Sequence, residues 1–220
     1  IQDDISQAVV KAHRVILTEG EKKQIEKARE VNVQAYDYYL RGQQNLHQLR
    51  RKSLEYGRQM FAKAIEIDPE YARAYAGVAY CYSYLYTYFD AREFNLRQAE
   101  IASNKALELE AELAEAHVAR GMAVSLSKRF DEATSEFETA IRLDSKSFDA
   151  FYSFARSRMA QGMHEEALRL LDRAAILRPD EYQVPGFLGQ AFAALGRHDE
   201  SQIAYHHQVD LINAHLEFNP

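Results

Sequence analysis

The 220-residue chain has one cysteine, four prolines and nine glycines. A lone Cys81 excludes both a disulfide framework and a thiolate zinc site. So few breakers argue against a turn-rich β fold and for long helices. No apolar stretch approaches the roughly 20 residues that cross a bilayer, and no leader resembles a signal peptide, so a cytoplasmic location and no membrane partner are expected. Nucleophile motifs, glycine-rich phosphate loops and zinc-protease signatures are also missing. The expectation is therefore no catalytic residue, no cofactor and no metal. The chain begins at Ile1 rather than Met, as a piece of something longer would.

What is there is ordinary globular material: 47% hydrophobic, 11% aromatic and 27% charged residues, with a formal net charge of −6. That composition excludes disorder and can bury a core. The charge is uneven. Residues 1–60 carry 11 basic and 8 acidic side chains, and the remainder 16 and 25. Nucleic-acid binders usually have a far stronger basic balance, so the cluster Arg50, Arg51, Lys52 and Arg58 reads as a solvated helix face and no nucleic-acid partner is expected.

Fixed-period self-similarity dominates the chain. FAKAIEIDP (Phe61–Pro69), FETAIRLDS (Phe137–Ser145) and LDRAAILRP (Leu171–Pro179) align, and SNKALELEA (Ser103–Ala111) is a looser copy. Each places Ala three residues after its first slot, where only a small side chain lets helices approach. Upstream lies a second pattern, a bulky residue with a small one four places later: Tyr38…Gly42, Tyr75…Ala79, His117…Gly121, Phe151…Ala155 and Pro185…Gly189. Both spacings are helical, and Pro69 and Pro179 separate successive pairs.

These residues resemble the tetratricopeptide repeat, with its W-x2-L-G-x2-Y, A-x3-F and small-residue-plus-Pro signature over 34 residues. The match is best at Ala133, Phe137 and Ala140, then at Ala167, Leu171, Ala174 and Pro179. The resemblance implies an all-α fold, a right-handed superhelical array of antiparallel helix pairs. About five repeats are expected, near 35–71, 72–113, 114–147, 148–181 and 182–220. Arg41 and Arg120 stand where the family usually has Leu. Pro185 replaces an aromatic and suggests a later start for the fifth pair. The first repeat has about three extra residues and the second about eight, between the helices of each pair. Pro220 lies 41 residues after Pro179, so the last helix should be about two turns longer.

Residues 1–34 stand apart as leading helices. Ile1, Ile5, Ala8, Val9, Ala12 and Ile16 form an apolar stripe, and Thr18-Glu-Gly-Glu21 reads as a capping box. IQDDISQAVVKAH, followed by AYDYYLRG and DPEYARAYAGVA, resembles a bacterial arrangement in which a TolB-like domain leads into tetratricopeptide repeats. That domain often follows a class III nucleotide-cyclase or DNA-binding domain. The resemblance makes residues 1–17 the last helix of a preceding domain.

Few side chains offer chemistry. Adjacent His206 and His207 point about 100° apart on a helix and share a metal poorly. Cys81 reads as a small buried hydrophobe. Asp131-Glu132 and Glu165-Glu166 suit the helix dipole at helix starts. The unusual segment is YCYSYLYTY (Tyr80–Tyr88). On a helix, Tyr75, Val78, Ala79, Tyr82 and Tyr86 form a stripe for the partner helix, and Tyr80, Tyr84 and Tyr88 form another. In the resembled family that second face lines the concave groove. Carrying the groove over gives Tyr39, Gln43, Arg73, Tyr80, Tyr84, Met122, Tyr152 and Arg156, a mix that binding hot spots favour. The alternative is that the tyrosines pack an enlarged second repeat. A chaperone-type carboxylate clamp is not expected, because Tyr39, Gln43, Ala76 and Tyr80 occupy its places.

The functional expectation is a non-catalytic interaction module of a larger bacterial signalling or regulatory protein, with a protein or peptide partner. The alternatives are a regulatory domain of a class III adenylate or guanylate cyclase whose catalytic domain lies elsewhere, or the sensory part of a DNA-binding regulator. Apolar residues on the last helix and the Ile1–Ile16 stripe also suggest self-association through an end, or folding of the first helix onto the first repeat.

Overall fold

A computed structural model describes residues 32–46 and 48–218, and the expectations for the leading helices lie outside the described residues. Each apolar stripe of helical period becomes a helix with one buried face. The described residues hold five antiparallel pairs: α1 (Val33–Leu46) with α2 (Arg51–Ile67), α3 (Ala72–Tyr88) with α4 (Glu93–Leu109), α5 (Ala114–Leu126) with α6 (Phe130–Leu143), α7 (Phe148–Ala160) with α8 (His164–Leu177), and α9 (Gln183–Ala194) with α10 (His198–Phe218). Each pair packs on the next, and the buried hydrophobics form three clusters along the array, the largest reaching from the first pair to the fourth, as stacking of repeats requires.

One size rule repeats inside the pairs. The first slot of the second helix holds Phe61, Ser103, Phe137, Leu171 or Tyr205. Where that side chain is aromatic, the matching slot of the first helix is glycine. A Cβ on Gly42, Gly121 or Gly189 would stand 2.5, 2.7 and 2.7 Å from the rings of Phe61, Phe137 and Tyr205. Where the slot holds Ser103 or Leu171, the matching residue is Ala79 or Ala155. The small residue thus makes room for a ring of the partner helix.

The alanine slot has a further job. Ala64, Ala106, Ala140 and Ala174 are fully buried, and the carbonyl of each accepts the last N–H of its helix, from Asp68, Glu110, Asp144 and Arg178. The turns within the last three pairs use a left-handed residue at the same position, Lys128 (φ 61°), Gly162 (φ 78°) and Gly196 (φ 74°).

The repeat departures resolve in specific ways. The eight extra residues of the second pair are mostly helical, because α3 and α4 have 17 residues each against 13 and 14 in α5 and α6. In the first pair α2 takes the extra length, at 17 residues. The fifth pair does not start late. Pro185 is the third residue of α9, inside the first turn where its missing N–H costs no helix bond. The last helix has 21 residues against 14 in α8, about two turns more.

The two arginines in leucine slots part company. Arg41 stays exposed and pairs with Asp37 at 2.9 Å. Arg120 is only 8% exposed and hydrogen-bonds Glu132 through Nε and Nη2. Glu100 of the preceding pair lies 4.0 Å away and also binds Arg129 at 2.8 Å.

Candidate functional site

Residues from the first helix of all five pairs converge on one face. A cavity of about 100 Å³ is lined by Tyr39 and Gln43 of α1, Arg73, Tyr80 and Tyr84 of α3, Glu115 of α5, Asp149 and Tyr152 of α7 and Gln183 of α9, with Arg178 and Glu181 from a loop. Among the described residues none of a second helix lines it, so the array curves with its first helices inside. A neighbouring cavity of about 530 Å³ holds Met122 and Arg156. The eight groove candidates therefore fall as six in the first cavity and two in the second.

Four of them form a buried floor. Tyr80, Tyr84, Met122 and Tyr152 expose 7, 9, 8 and 4% of their surface. Tyr80 and Tyr84 line the first cavity and also belong to the largest core cluster. Tyr80, Tyr84 and Tyr88 stack as a ladder with centroids 6.5 and 6.1 Å apart, while Tyr82 on the other stripe meets Phe94 of α4 edge-on at 6.1 Å. Burial pushes the phenol pKa of Tyr80, Tyr84 and Tyr152 upward, so the floor stays neutral at physiological pH. The Tyr152 hydroxyl donates to Oε1 of Gln183 at 2.8 Å, and the Gln43 amide donates to the Tyr39 oxygen at 2.8 Å.

The rim is charged and largely self-paired. Arg73 lies 3.6 Å from Glu115, and Arg178 lies 3.9 Å from Asp149. Sequence reasoning found Arg73 but missed Glu115, Asp149 and Gln183, which follow it at offsets of 42, 34 and 34 residues. The repeat spacing alone could have found them. The same offset leads from Met122 to Arg156 to Gln190, and from Ser153 to Phe187, all of which line the second cavity.

No cluster of three or more metal-binding side chains occurs among the described residues. Among them also, no helix is long and apolar enough to cross a membrane. Cys81 is buried, and burial raises its thiol pKa, which leaves it unreactive. His206, His207 and Asp210 are exposed along α10, as are Ile203 and Val209.

The tetratricopeptide repeat family model matches residues 126–184, across the third and fourth pairs and the start of the fifth. Those residues carry the tetratricopeptide repeat. Among solved structures, this repeat protein is similar to TTC0263, a thermophilic TPR protein of Thermus thermophilus. The two share 20% identity with a TM-score of 0.59, over 77% of this chain and 86% of that one. It is also similar to YrrB, described as a TPR protein with an unusual peptide-binding site. That likeness has 20% identity and a TM-score of 0.51, over 89% and 93% of the two chains. At these identities the likeness is one of fold. A curated relative, "Putative adenylate cyclase 3" of Rhizobium meliloti (strain 1021), is 33% identical over 135 residues. The match takes in 60% of this chain and 23% of that protein's length.

Proposed function

We propose that this repeat array is a non-catalytic module of a larger bacterial signalling or regulatory protein, and that it holds a peptide or protein segment in the groove of its first helices. The observation that carries the reading is the convergence of six groove candidates, from the first, second and fourth pairs, on one cavity with a neutral aromatic floor and a charged rim. Such a surface offers apolar area to a segment and hydrogen-bonding tips at its edges. The peptide-binding site named for YrrB is in keeping with it. A cytoplasmic setting follows from the same reading.

The partial match to the Rhizobium protein favours a second reading, a regulatory segment beside a nucleotide cyclase. The two readings are compatible, because a groove that binds a segment can regulate a neighbouring domain.

Peptides selected from a random display library on the 220-residue chain test the groove. Binding of a selected peptide is expected to fall at least about 10-fold in Arg73→Glu and in Tyr84→Leu, a loss of about 1.4 kcal/mol or more. Undiminished binding to both variants, with the helical circular dichroism intact, would place the binding surface elsewhere.

A further inference from the structure

The two groove cavities meet at Arg156. Tyr84 and Tyr152 line the first and Arg156 lines the second. The guanidinium carbon lies 5.9, 5.3, 5.6 and 5.5 Å from the ring centroids of Tyr84, Tyr88, Tyr152 and Phe187. Ring faces compensate a desolvated cation, but they leave the in-plane N–H donors of the fork unspent. The other two groove arginines face carboxylates, Arg73 on Glu115 and Arg178 on Asp149. Arg156 has no carboxylate within 4.0 Å among the described residues and makes no side-chain hydrogen bond there.

A second observation is independent of that charge. Ser153, 5% exposed, lines the same cavity, and its Oγ is buried with no hydrogen-bond partner among the described residues. His164 also lines it, and its buried Nδ1 likewise has no partner among the described residues. Unmade hydrogen bonds at buried groups are costly, so an occupant that supplies acceptors gains where water-free packing cannot. The remaining wall is apolar, with Met122, Phe137, Met159 and Phe187. At about 530 Å³ the space is ligand-sized.

Charge also separates the two cavities. The first sets three carboxylates (Glu115, Asp149, Glu181) against two guanidiniums, whereas the second has Arg156 and no Asp or Glu in its lining. An acidic group is repelled from the first and attracted to the second. The inner row Tyr80, Met122, Arg156 and Gln190 continues on both sides of the arginine. A segment therefore passes through the site and does not end there.

We propose that the second cavity reads an Asp or Glu side chain flanked by an apolar residue in the bound segment. Its carboxylate sits on the Arg156 fork, with the Ser153 hydroxyl as an additional donor. The proposal rests on the groove reading above and names the chemistry that the groove selects. A planar fork suits a carboxylate held in two-point contact.

The probes are the display-selected peptides, synthesised with a fluorescein label and measured by anisotropy on the 220-residue chain. The selected set is expected to carry Asp or Glu at one fixed position beside an apolar residue. Replacing that acid by its amide should weaken binding to the wild-type protein about 10- to 100-fold, the worth of a charged hydrogen-bonded contact. Arg156→Gln should lose the same factor against the acidic peptide and nothing further against the amide peptide. C-terminal amidation should leave affinity unchanged, and a loss on amidation would overturn the side-chain assignment. Peptides that need Arg73 and Tyr84 but show no acid preference would sink this inference alone, whereas a library that yields no binder would sink the groove reading with it. If Arg156→Gln fails to fold, the acid-to-amide comparison on the wild-type protein still decides.

Discussion

Arg120 is the sharpest test of how this array holds together, because a nearly buried cation stands in a leucine slot. Arg120→Ala removes two hydrogen bonds to Glu132 and the 4.0 Å approach to Glu100 across the junction of the second and third pairs. A hydrogen bond to a charged group contributes about 1.5–3 kcal/mol, and the buried aliphatic stem adds packing. Glu132 and Glu100 keep 37 and 28% of their side-chain surface exposed and still face Arg129, so neither carboxylate is left buried and unpaired. The loss should then fall below the worst case for a broken buried pair, at about 2–4 kcal/mol. Arg120→Leu leaves the Arg129–Glu100 pair at 2.8 Å untouched. It also restores about 1.5–3 kcal/mol of apolar burial. Arg120→Leu should therefore lie within about 1 kcal/mol of the wild type. Urea unfolding followed by circular dichroism measures both values, and hydrogen exchange over α4–α6 shows whether the damage is local to that junction. If Arg120→Leu costs as much as Arg120→Ala, the ion-pair geometry is worth more than burial and the reasoning fails.

Gly121→Ala would drive a Cβ to 2.7 Å from the fully buried Phe137 ring. Such overpacking should cost about 1–3 kcal/mol in chemical denaturation, and pairing it with Phe137→Leu should recover part of the loss. Lys128→Gly relieves a φ of 61° at the turn where the next two pairs use glycine. It should stabilise by up to about 1 kcal/mol, and an unchanged or lower melting temperature would refute that. The His117 ring faces Glu136 Oε2 at 2.6 Å through Nδ1 and the Ala111 carbonyl at 2.9 Å through Nε2. Two acceptors call for the doubly protonated ring, and chiefly the Glu136 hydrogen bond raises its pKa in the folded protein. Its stabilisation is therefore fully present below the unfolded histidine pKa of about 6.5 and is lost as pH rises through the raised folded value. Glu136→Gln should flatten that step in a series of melts across this range.

The helix pairs were legible because each slot recurs with its physical reason attached. Gly42, Gly121 and Gly189 already sat four residues after Tyr38, His117 and Pro185, and Phe61 and Phe137 headed the segments that follow them. Three things were not legible. An insertion between two slots does not say whether it forms loop or helix, and the four extra residues of α3 extend the helix because Leu85 finds burial there. The inner-face residues could be named from their spacing, but whether they would be exposed depends on curvature across several pairs. Tyr80, Met122 and Tyr152 therefore came out as floor rather than protruding anchors. Arg41 and Arg120 occupy the same slot, and only the second has Glu100 and Glu132 on neighbouring helices to follow it inward.

The extra turn of α3 has a mechanical consequence. In a plain solenoid each unit touches only its neighbours, and the whole behaves as a spring whose pitch is the sum of small independent rotations. Here that turn carries Tyr88, which with Tyr84 reaches Arg156 two units further on, while Phe187 meets the same guanidinium from the unit beyond. This contact skips the third unit and ties the second to the fourth and fifth. It acts as a stay across the inside of the coil. Stretching the array must break it before the pitch can open, so the spring is stiffer over these units than at the first.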